Sequence, residues 1–148
     1  MTGRRTHARE AALQILYFWE VGRAQPLSAI EAFFAEHQPE ADEATVDFVS
    51  RLVLGTIADV AELDRVIERH ARRWRVERLA VVDRMILRLA TWELRHETET
   101  PGPVVINEAL ELARRFSSDD AVRFVNGVLD AVYRDRPAAA APGADPVD

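Results

Sequence analysis

The residues with the clearest chemical potential lie at the amino-terminal end, in the run Arg4-Arg5-Thr6-His7-Ala8-Arg9. If this run is helical, Arg5 and Arg9 lie one turn apart and can straddle one segment of a polyanion backbone. Guanidinium groups form bidentate hydrogen bonds with phosphate and stack on bases, while Thr6 and His7 can hydrogen-bond to bases or ribose. The pattern indicates a nucleic-acid contact. The alternative is a solvated helix end that carries a few arginines, and composition alone slightly favours it.

A second candidate lies towards the other end of the chain, in Phe124-Val125-Asn126-Gly127. Helical spacing turns Val125 inward and leaves Phe124 near the surface, where an exposed ring can stack on an unpaired base. Gly127 in mid-helix costs about 1 kcal/mol relative to alanine, so we expect close backbone packing or the approach of a ligand there. Packing also explains the ring without a ligand, and spacing does not decide between these interpretations.

A long apolar stretch, residues 74–95, is the element that must position such groups. From Leu79 onward it predicts a helix, here named the hub helix, with so little polar surface that other helices should pack on most of its sides. Its one narrow polar line consists of Arg84, Arg88, Thr91 and Arg95. Asp83 lies on an otherwise apolar line. It can interact with the helix N-terminus, pair with Arg84 or Arg88, or face an interface.

The arginines from Arg65 to Arg78 form a further basic cluster. Arg72 and Arg73 fall where a helix C-terminus favours cations, so capping and surface solvation explain the cluster better than ligand binding. The same residues could still broaden a positive surface.

Composition excludes several function classes. The net charge of −6 argues against indiscriminate binding of nucleic acid, and the absence of cysteine excludes disulfides and thiol chemistry. There is no Gly-rich phosphate loop, no HExxH and no Gly-x-Ser-x-Gly motif, and the four histidines lack metal-ligand spacing. Without a secretory signal or a membrane-spanning run, we expect a cytoplasmic, non-catalytic protein that needs neither metal nor cofactor.

Apolar residues recur at helical spacing along the chain, and no alternating strand pattern is present. We predict a first helix over 6–21, a short helix capped by Ser28, and a helical region from about 42–45 to Ala71 that breaks near Asp59. The hub helix follows, then a helix with Pro103 in its first turn, and a last helix capped within 117–120. The prediction is an all-α bundle of six or seven helices over residues 1–136, with a disordered tail over 137–148.

Several ordered motifs are spread over nearly all of this predicted bundle. They are Ala8-Arg9-Glu10-Ala11-Ala12-Leu13-Gln14 with Leu16-Tyr17, Val82-Asp83-Arg84, Ile86-Leu87-Arg88, Glu93-Leu94, Val105-Ile106-Asn107-Glu108-Ala109 and Phe124-Val125-Asn126-Gly127-Val128-Leu129-Asp130. Taken together, these motifs resemble those of the NusB family. The resemblance implies two small helical subdomains and no enzymatic activity. It also implies binding of the single-stranded boxA element of nascent ribosomal RNA together with NusE, a ribosomal small-subunit protein. That complex joins other Nus factors on RNA polymerase, opposes premature termination and assists ribosomal RNA biogenesis.

The resemblance also assigns residues to these contacts. The RNA-binding residues it implies are Arg4, Arg5, Thr6, His7, Arg9, Arg123, Phe124 and Asn126, and the NusE-binding residues are Tyr17 and Asp83. Thr6 and His7 occupy positions that can be arginine in the family, so we expect weaker phosphate affinity. The RNA site should lie apart from the hub helix, which would hold the NusE contact. The free protein should be a monomer or a homodimer.

Two other functions fit parts of the sequence. One is an RNA-targeting domain related to that of ribosomal RNA cytosine methyltransferases, although the chain leaves no room for a cofactor-binding catalytic domain. The other is a helical DNA-binding regulator, which should show a helix-turn-helix with a basic recognition helix, and no such pair of helices is predicted.

Overall fold

The computed structural model describes residues 3–136, and every regular element within them is helical. The seven α-helices are α1 (Arg4–Gly22), α2 (Pro26–His37), α3 (Glu43–Ala58), α4 (Val60–Ala71), α5 (Val81–His96), α6 (Gly102–Phe116) and α7 (Asp119–Arg134), with a short 3-10 helix at Val76–Arg78 before α5. The all-α prediction is confirmed. The predicted tail, 137–148, lies outside the described residues.

The chain divides into two compact units, of which the first ends at Asp59 and the second begins at Val60. The break predicted near Asp59 is confirmed, because this residue ends α3 and its N–H bonds to the Gly55 and Ile57 carbonyls. In the first unit, α1 packs against α2 and α3. Its buried side chains include Ile15, Leu16, Phe33, Phe34, Val49, Leu52 and Val53. Each side chain of this size contributes roughly 1.5–3 kcal/mol through burial.

The hub helix is α5, and it is the centre of the second unit. It contacts α4, α6 and α7, as the prediction of a helix packed on most sides requires. Nine of its residues are buried: Met85, Ile86, Leu87, Arg88, Leu89, Ala90, Thr91, Glu93 and Leu94. It begins at Val81 rather than Leu79, because Leu79 caps the preceding 3-10 helix in an extended conformation.

The polar line of α5 faces a neighbouring helix rather than solvent. Arg88 is buried, and its Nε and Nη2 donate hydrogen bonds to Oδ1 and Oδ2 of Asp64 on α4. Both donor–acceptor distances are 2.8 Å. Two helical turns further along this line, an Arg95 nitrogen lies 3.7 Å from the Glu62 carboxylate, also on α4. Bidentate pairing fixes both distance and orientation, so these contacts set the register of α4 against α5.

Side-chain caps begin two of the seven helices, α3 and α7. Asp42 accepts a hydrogen bond of 2.9 Å from the Thr45 N–H at the start of α3, and Ser118 Oγ accepts one of 3.1 Å from the Ala121 N–H at the start of α7. The cap of α7 lies within the predicted segment 117–120, whereas for α3 only a start near 42–45 was predicted. The predicted cap at Ser28 is wrong. The helix begins earlier, at Pro26, because proline tolerates the first helical position, where its missing N–H would have no partner within the helix.

Candidate nucleic-acid interface

The amino-terminal arginine run is helical from its first residue, and Arg4 ties α1 to the start of α3. Its guanidinium pairs with the Asp42 carboxylate and lies 3.4 Å from Thr45 Oγ1. The Thr45 hydroxyl and backbone N–H, with Arg4, hold the pKa of Asp42 below its ordinary value. Because a guanidinium carries five N–H donors, Arg4 can hold this carboxylate and still donate to a phosphate.

The neighbouring arginines are arranged around one aromatic ring, that of Phe48 on α3. The guanidinium carbons of Arg5, Arg9 and Arg51 lie 4.1, 5.5 and 5.4 Å from the ring centroid. Such distances are typical of cation–π contact. We name Arg4, Arg5, Arg9, Arg51 and Phe48 the arginine cluster; part of it lines a cleft of about 280 Å³ with Ala8, Ala44 and Thr45.

The arginines of the arginine cluster differ in how far they are exposed to solvent. Arg5 is exposed, whereas Arg9 is only 4% exposed, so the two do not present equivalent groups to a polyanion. Arg51 was not predicted from the sequence. It lies on α3, far along the chain from α1, and no local spacing connects it to the amino-terminal run.

The remaining predicted residues of α1 occupy separate positions on its surface. Thr6 is half-buried and engaged in further contacts, while His7 is exposed. Tyr17 is 39% exposed and packs edge-to-face on Phe18, with ring centroids 6.3 Å apart. Phe18 and Val21 are also exposed on this helix, so its C-terminal half presents an apolar surface suited to a protein partner.

In the second unit, the predicted residues Asp83 and Phe124 line one cleft of about 300 Å³. We name it the aromatic cleft; its lining is Trp74, Arg78, Leu79, Ala80, Asp83, Ser118, Asp120, Ala121 and Phe124. The Trp74 and Phe124 rings meet edge-to-face, with centroids 6.3 Å apart and an interplanar angle of 76°. The expectation that the hub helix lies apart from the predicted RNA-binding residues is therefore wrong for Phe124. The turn before α5 and the start of α7 converge here.

Asp83 lies in the first turn of α5, where a helix N-terminus favours a negative charge. Its Oδ1 accepts a hydrogen bond of 2.6 Å from Ser117 Oγ. The carboxylate is half-buried. With about four lone-pair sites, it keeps capacity for further donors from a ligand or a partner.

Further along α7, the predicted RNA-binding residues lie on the surface. Arg123 is exposed and pairs with Asp120 one turn earlier, and Asn126 is exposed as well. The packing interpretation of Gly127 is wrong, because an added Cβ would meet no atom within 4 Å. By contrast, Gly102 at the start of α6 is tightly packed, because a Cβ there would lie 2.1 Å from the Tyr133 ring.

The Arg65–Arg78 cluster is divided among several contacts. A guanidinium nitrogen of Arg65 lies 2.7 Å from the Glu62 carboxylate, and one of Arg75 lies 3.6 Å from the Glu77 carboxylate. Arg72 takes a left-handed conformation just after α4, with φ of 56°. Arg78 alone of the cluster lines the aromatic cleft. These contacts agree with a largely structural cluster.

Residues 3–136 contain no group of three or more histidine, cysteine, aspartate or glutamate side chains that could hold a metal ion. Nor is any helix in that range long and apolar enough to cross a membrane.

Comparison with known proteins gives matches over nearly the whole chain. The sequence model of the NusB family matches residues 6–134. Transcription antitermination protein NusB of Solibacter usitatus (strain Ellin6076) is 50% identical over 145 residues, which is 95% of this chain and 95% of its own length. The protein of the same name from Koribacter versatilis (strain Ellin345) is 45% identical over 134 residues, covering 90% of this chain and 91% of its own.

Solved structures match the fold as well. NusB of T. maritima superimposes with a TM-score of 0.85 at 31% identity, covering 95% of this chain and 98% of its own. A crystal structure of the antitermination factors NusB and NusE in complex with double-stranded RNA matches with a TM-score of 0.81 at 28% identity, covering 90% of this chain and 98% of the other.

These matches extend from α1 to α7 and confirm the family suggested by the sequence motifs. They agree with the all-helical fold and with its seven helices. The chain belongs to the NusB family, whose relatives described above are transcription antitermination proteins.

Proposed function

We propose that this member of an antitermination family is a non-catalytic adaptor that binds single-stranded boxA RNA together with NusE. The complex would join other Nus factors on RNA polymerase in the cytoplasm, oppose premature termination and assist ribosomal RNA biogenesis. Family membership establishes the antitermination function and the absence of catalysis. A structural relative that was crystallised with NusE and RNA supports the two partners.

The observation that carries the RNA contact is the arginine cluster. In a chain of net charge −6, four guanidinium groups surround the start of α1 and the Phe48 ring. Stacking on Phe48 holds the exposed Arg5 in a limited range of positions, which favours bidentate phosphate contact. The proposed RNA contacts of the second unit are Arg123, Phe124 and Asn126 on α7, of which Phe124 is half-buried and the other two are exposed.

RNA binding is tested by fluorescence anisotropy with a boxA oligonucleotide, a scrambled oligonucleotide and a boxA duplex. We expect the single-stranded boxA sequence to bind tightest, and tighter still with NusE present. Equal affinity for the scrambled strand would contradict sequence-selective binding. Preference for the duplex would contradict single-strand recognition.

The arginine contact is tested through its salt dependence. Arg5→Ala should weaken binding and reduce the slope of log K against log salt by about 0.7, the value for one phosphate of a single strand. The matched control is Arg114→Ala, which removes an exposed arginine of α6 that pairs with Glu111. Arg9→Ala should also weaken binding, but Arg9 is buried, so its loss should lower stability too. An unchanged slope for Arg5→Ala would contradict the contact.

The proposed NusE contacts are Tyr17 and Asp83, which are partly exposed. Tyr17→Ala and Asp83→Ala should weaken the NusE complex and leave the fold nearly intact, because neither side chain belongs to a buried core. Phe116→Ala serves as the control, since it removes another exposed ring. Size-exclusion chromatography with light scattering, with and without NusE, also shows whether the free protein is a monomer or a homodimer.

A further inference from the structure

Trp74 is a large apolar side chain that the fold leaves on its surface. It lies between α4 and the 3-10 helix, is 53% exposed and contacts the half-buried Phe124. Aromatic rings bury large areas when they serve a core or an interface, so a half-exposed tryptophan leaves a contact surface unused. Its ring is available for a ligand without disturbing the core of the second unit.

The geometry of the aromatic cleft suits a flat group. Because the two rings stand at 76° to one another, they form two walls of a corner. A planar group that stacks on Trp74 would stand roughly perpendicular to the Phe124 ring. It would therefore make one stacked and one edge-to-face contact, and both arrangements are favourable for aromatic rings. The volume of about 300 Å³ is at the small end of ligand pockets.

The charges around the aromatic cleft select which part of a nucleotide enters. Asp83 and Asp120 place carboxylates on its lining, and these repel phosphate and accept hydrogen bonds from amino groups. Arg78 also lines the cleft and offers a cation to the RNA backbone. A base with an exocyclic amino group fits this arrangement better than a phosphate does.

We propose that the aromatic cleft binds one unpaired nucleobase of the RNA, with Trp74 as the residue on which that base stacks. This inference rests on the proposed RNA-binding function and adds to it a binding residue outside the predicted set. Phe124 supports the tryptophan ring from its edge, and the Asp120 carboxylate, which is not one of the proposed NusE contacts, favours adenine, cytosine or guanine over uracil. The cleft thus contributes to base selection, while the arginine cluster contributes charge.

The test compares Trp74→Leu, Trp74→Phe and the control Phe116→Leu in anisotropy titrations with boxA RNA. Base stacking on an aromatic side chain corresponds to roughly a five- to 150-fold change in affinity, and we expect Trp74→Leu to lose at least fivefold. Trp74→Phe should retain most of the affinity, and the control should bind like the wild type. Because the side chain is half-exposed, circular dichroism should show unchanged thermal unfolding.

A second measurement reports stacking directly. Saturating RNA should quench tryptophan emission in the wild type, and Trp74→Phe should lose most of that quenching, although Trp19 and Trp92 remain. Equal affinity of Trp74→Leu and wild type for RNA would overturn the inference and leave the proposed function standing. Weaker NusE binding by Trp74→Leu, with RNA binding unchanged, would make the cleft a protein contact and also overturn it. If the wild type bound no RNA, both proposals would fail.

Discussion

Removal of the Asp64 carboxylate should cost the second unit roughly 3 kcal/mol of unfolding free energy. The Arg88 side chain is only 8% exposed, and it donates two charge-assisted hydrogen bonds of 2.8 Å to Asp64. Asp64→Ala takes this bidentate pairing away from a buried cation, and breaking a buried ion pair typically costs 3–5 kcal/mol. We expect the lower end of this range, because the Asp64 side chain is 28% exposed and water can reach part of the site.

The assay is urea unfolding followed by far-ultraviolet circular dichroism, with thermal unfolding in parallel. For a chain of this length, a loss of about 3 kcal/mol corresponds to a fall in Tm of roughly 6–12 °C. The matched control is Glu111→Ala, which removes one partner of an exposed pair on α6. That control should change the unfolding free energy by no more than about 0.5 kcal/mol, because water screens and solvates both groups.

A double variant distinguishes the effect of the unpaired charge from the effect of the lost side-chain volume. Asp64→Ala with Arg88→Met removes both charges and keeps an apolar side chain on α5, so it should regain most of the lost stability. A loss below about 1 kcal/mol for Asp64→Ala would refute the reasoning. So would a double variant less stable than Asp64→Ala, since it would show that the buried cation was not the cause.

Three further predictions concern glycines and pH. Gly102→Ala should lower stability by about 1–3 kcal/mol in urea unfolding, because its Cβ would lie 2.1 Å from the Tyr133 ring; wild-type stability would contradict the packing. Gly127→Ala should raise stability by about 0.5–1 kcal/mol, since nothing lies within 4 Å, yet weaken RNA binding in anisotropy; unchanged binding would exclude a ligand approach. The Thr45 hydroxyl and N–H, with Arg4, lower the pKa of Asp42 from 3.8. The advantage of wild type over Asp42→Ala should therefore be constant above about pH 4 and shrink as pH falls through the folded-state pKa; the same advantage at pH 2 and pH 6 in urea unfolding would contradict this.

The parts of the fold that could be predicted from sequence are those fixed by neighbours along the chain. Asp42 and Ser118 act three residues from the N–H groups they cap, so their types and positions suffice. Apolar spacing likewise identified α5 and its burial. By contrast, Arg88 looked like part of an ordinary polar line, because its partner Asp64 lies on another helix. A pairing of this kind depends on how the helices pack against each other. The spacing of apolar residues along one helix carries no information about that packing.

The same distinction explains what was missed in the candidate site. Phe48 fits the apolar spacing of α3, and nothing local shows that arginines of α1 stack on it. Trp74 and Phe124 are 50 positions apart and meet only because the turn before α5 lies beside the start of α7. The reason for a glycine in a helix cannot be predicted from the sequence either, because it depends on what packs against that position. Gly102 and Gly127 both lie in helices, but one faces a ring and the other faces open space.

The Phe48 ring has a consequence for the entropy of binding. A freely exposed arginine samples many rotamers, and ordering such a side chain at an interface costs roughly 0.5–1.5 kcal/mol. Because Arg5 already stacks on this ring in the unbound protein, part of that ordering precedes any encounter with a ligand. Phe48 itself is 4% exposed. A residue that contacts no RNA would thus set how readily the neighbouring guanidinium groups bind it, and Phe48→Leu would alter affinity with every charge still in place.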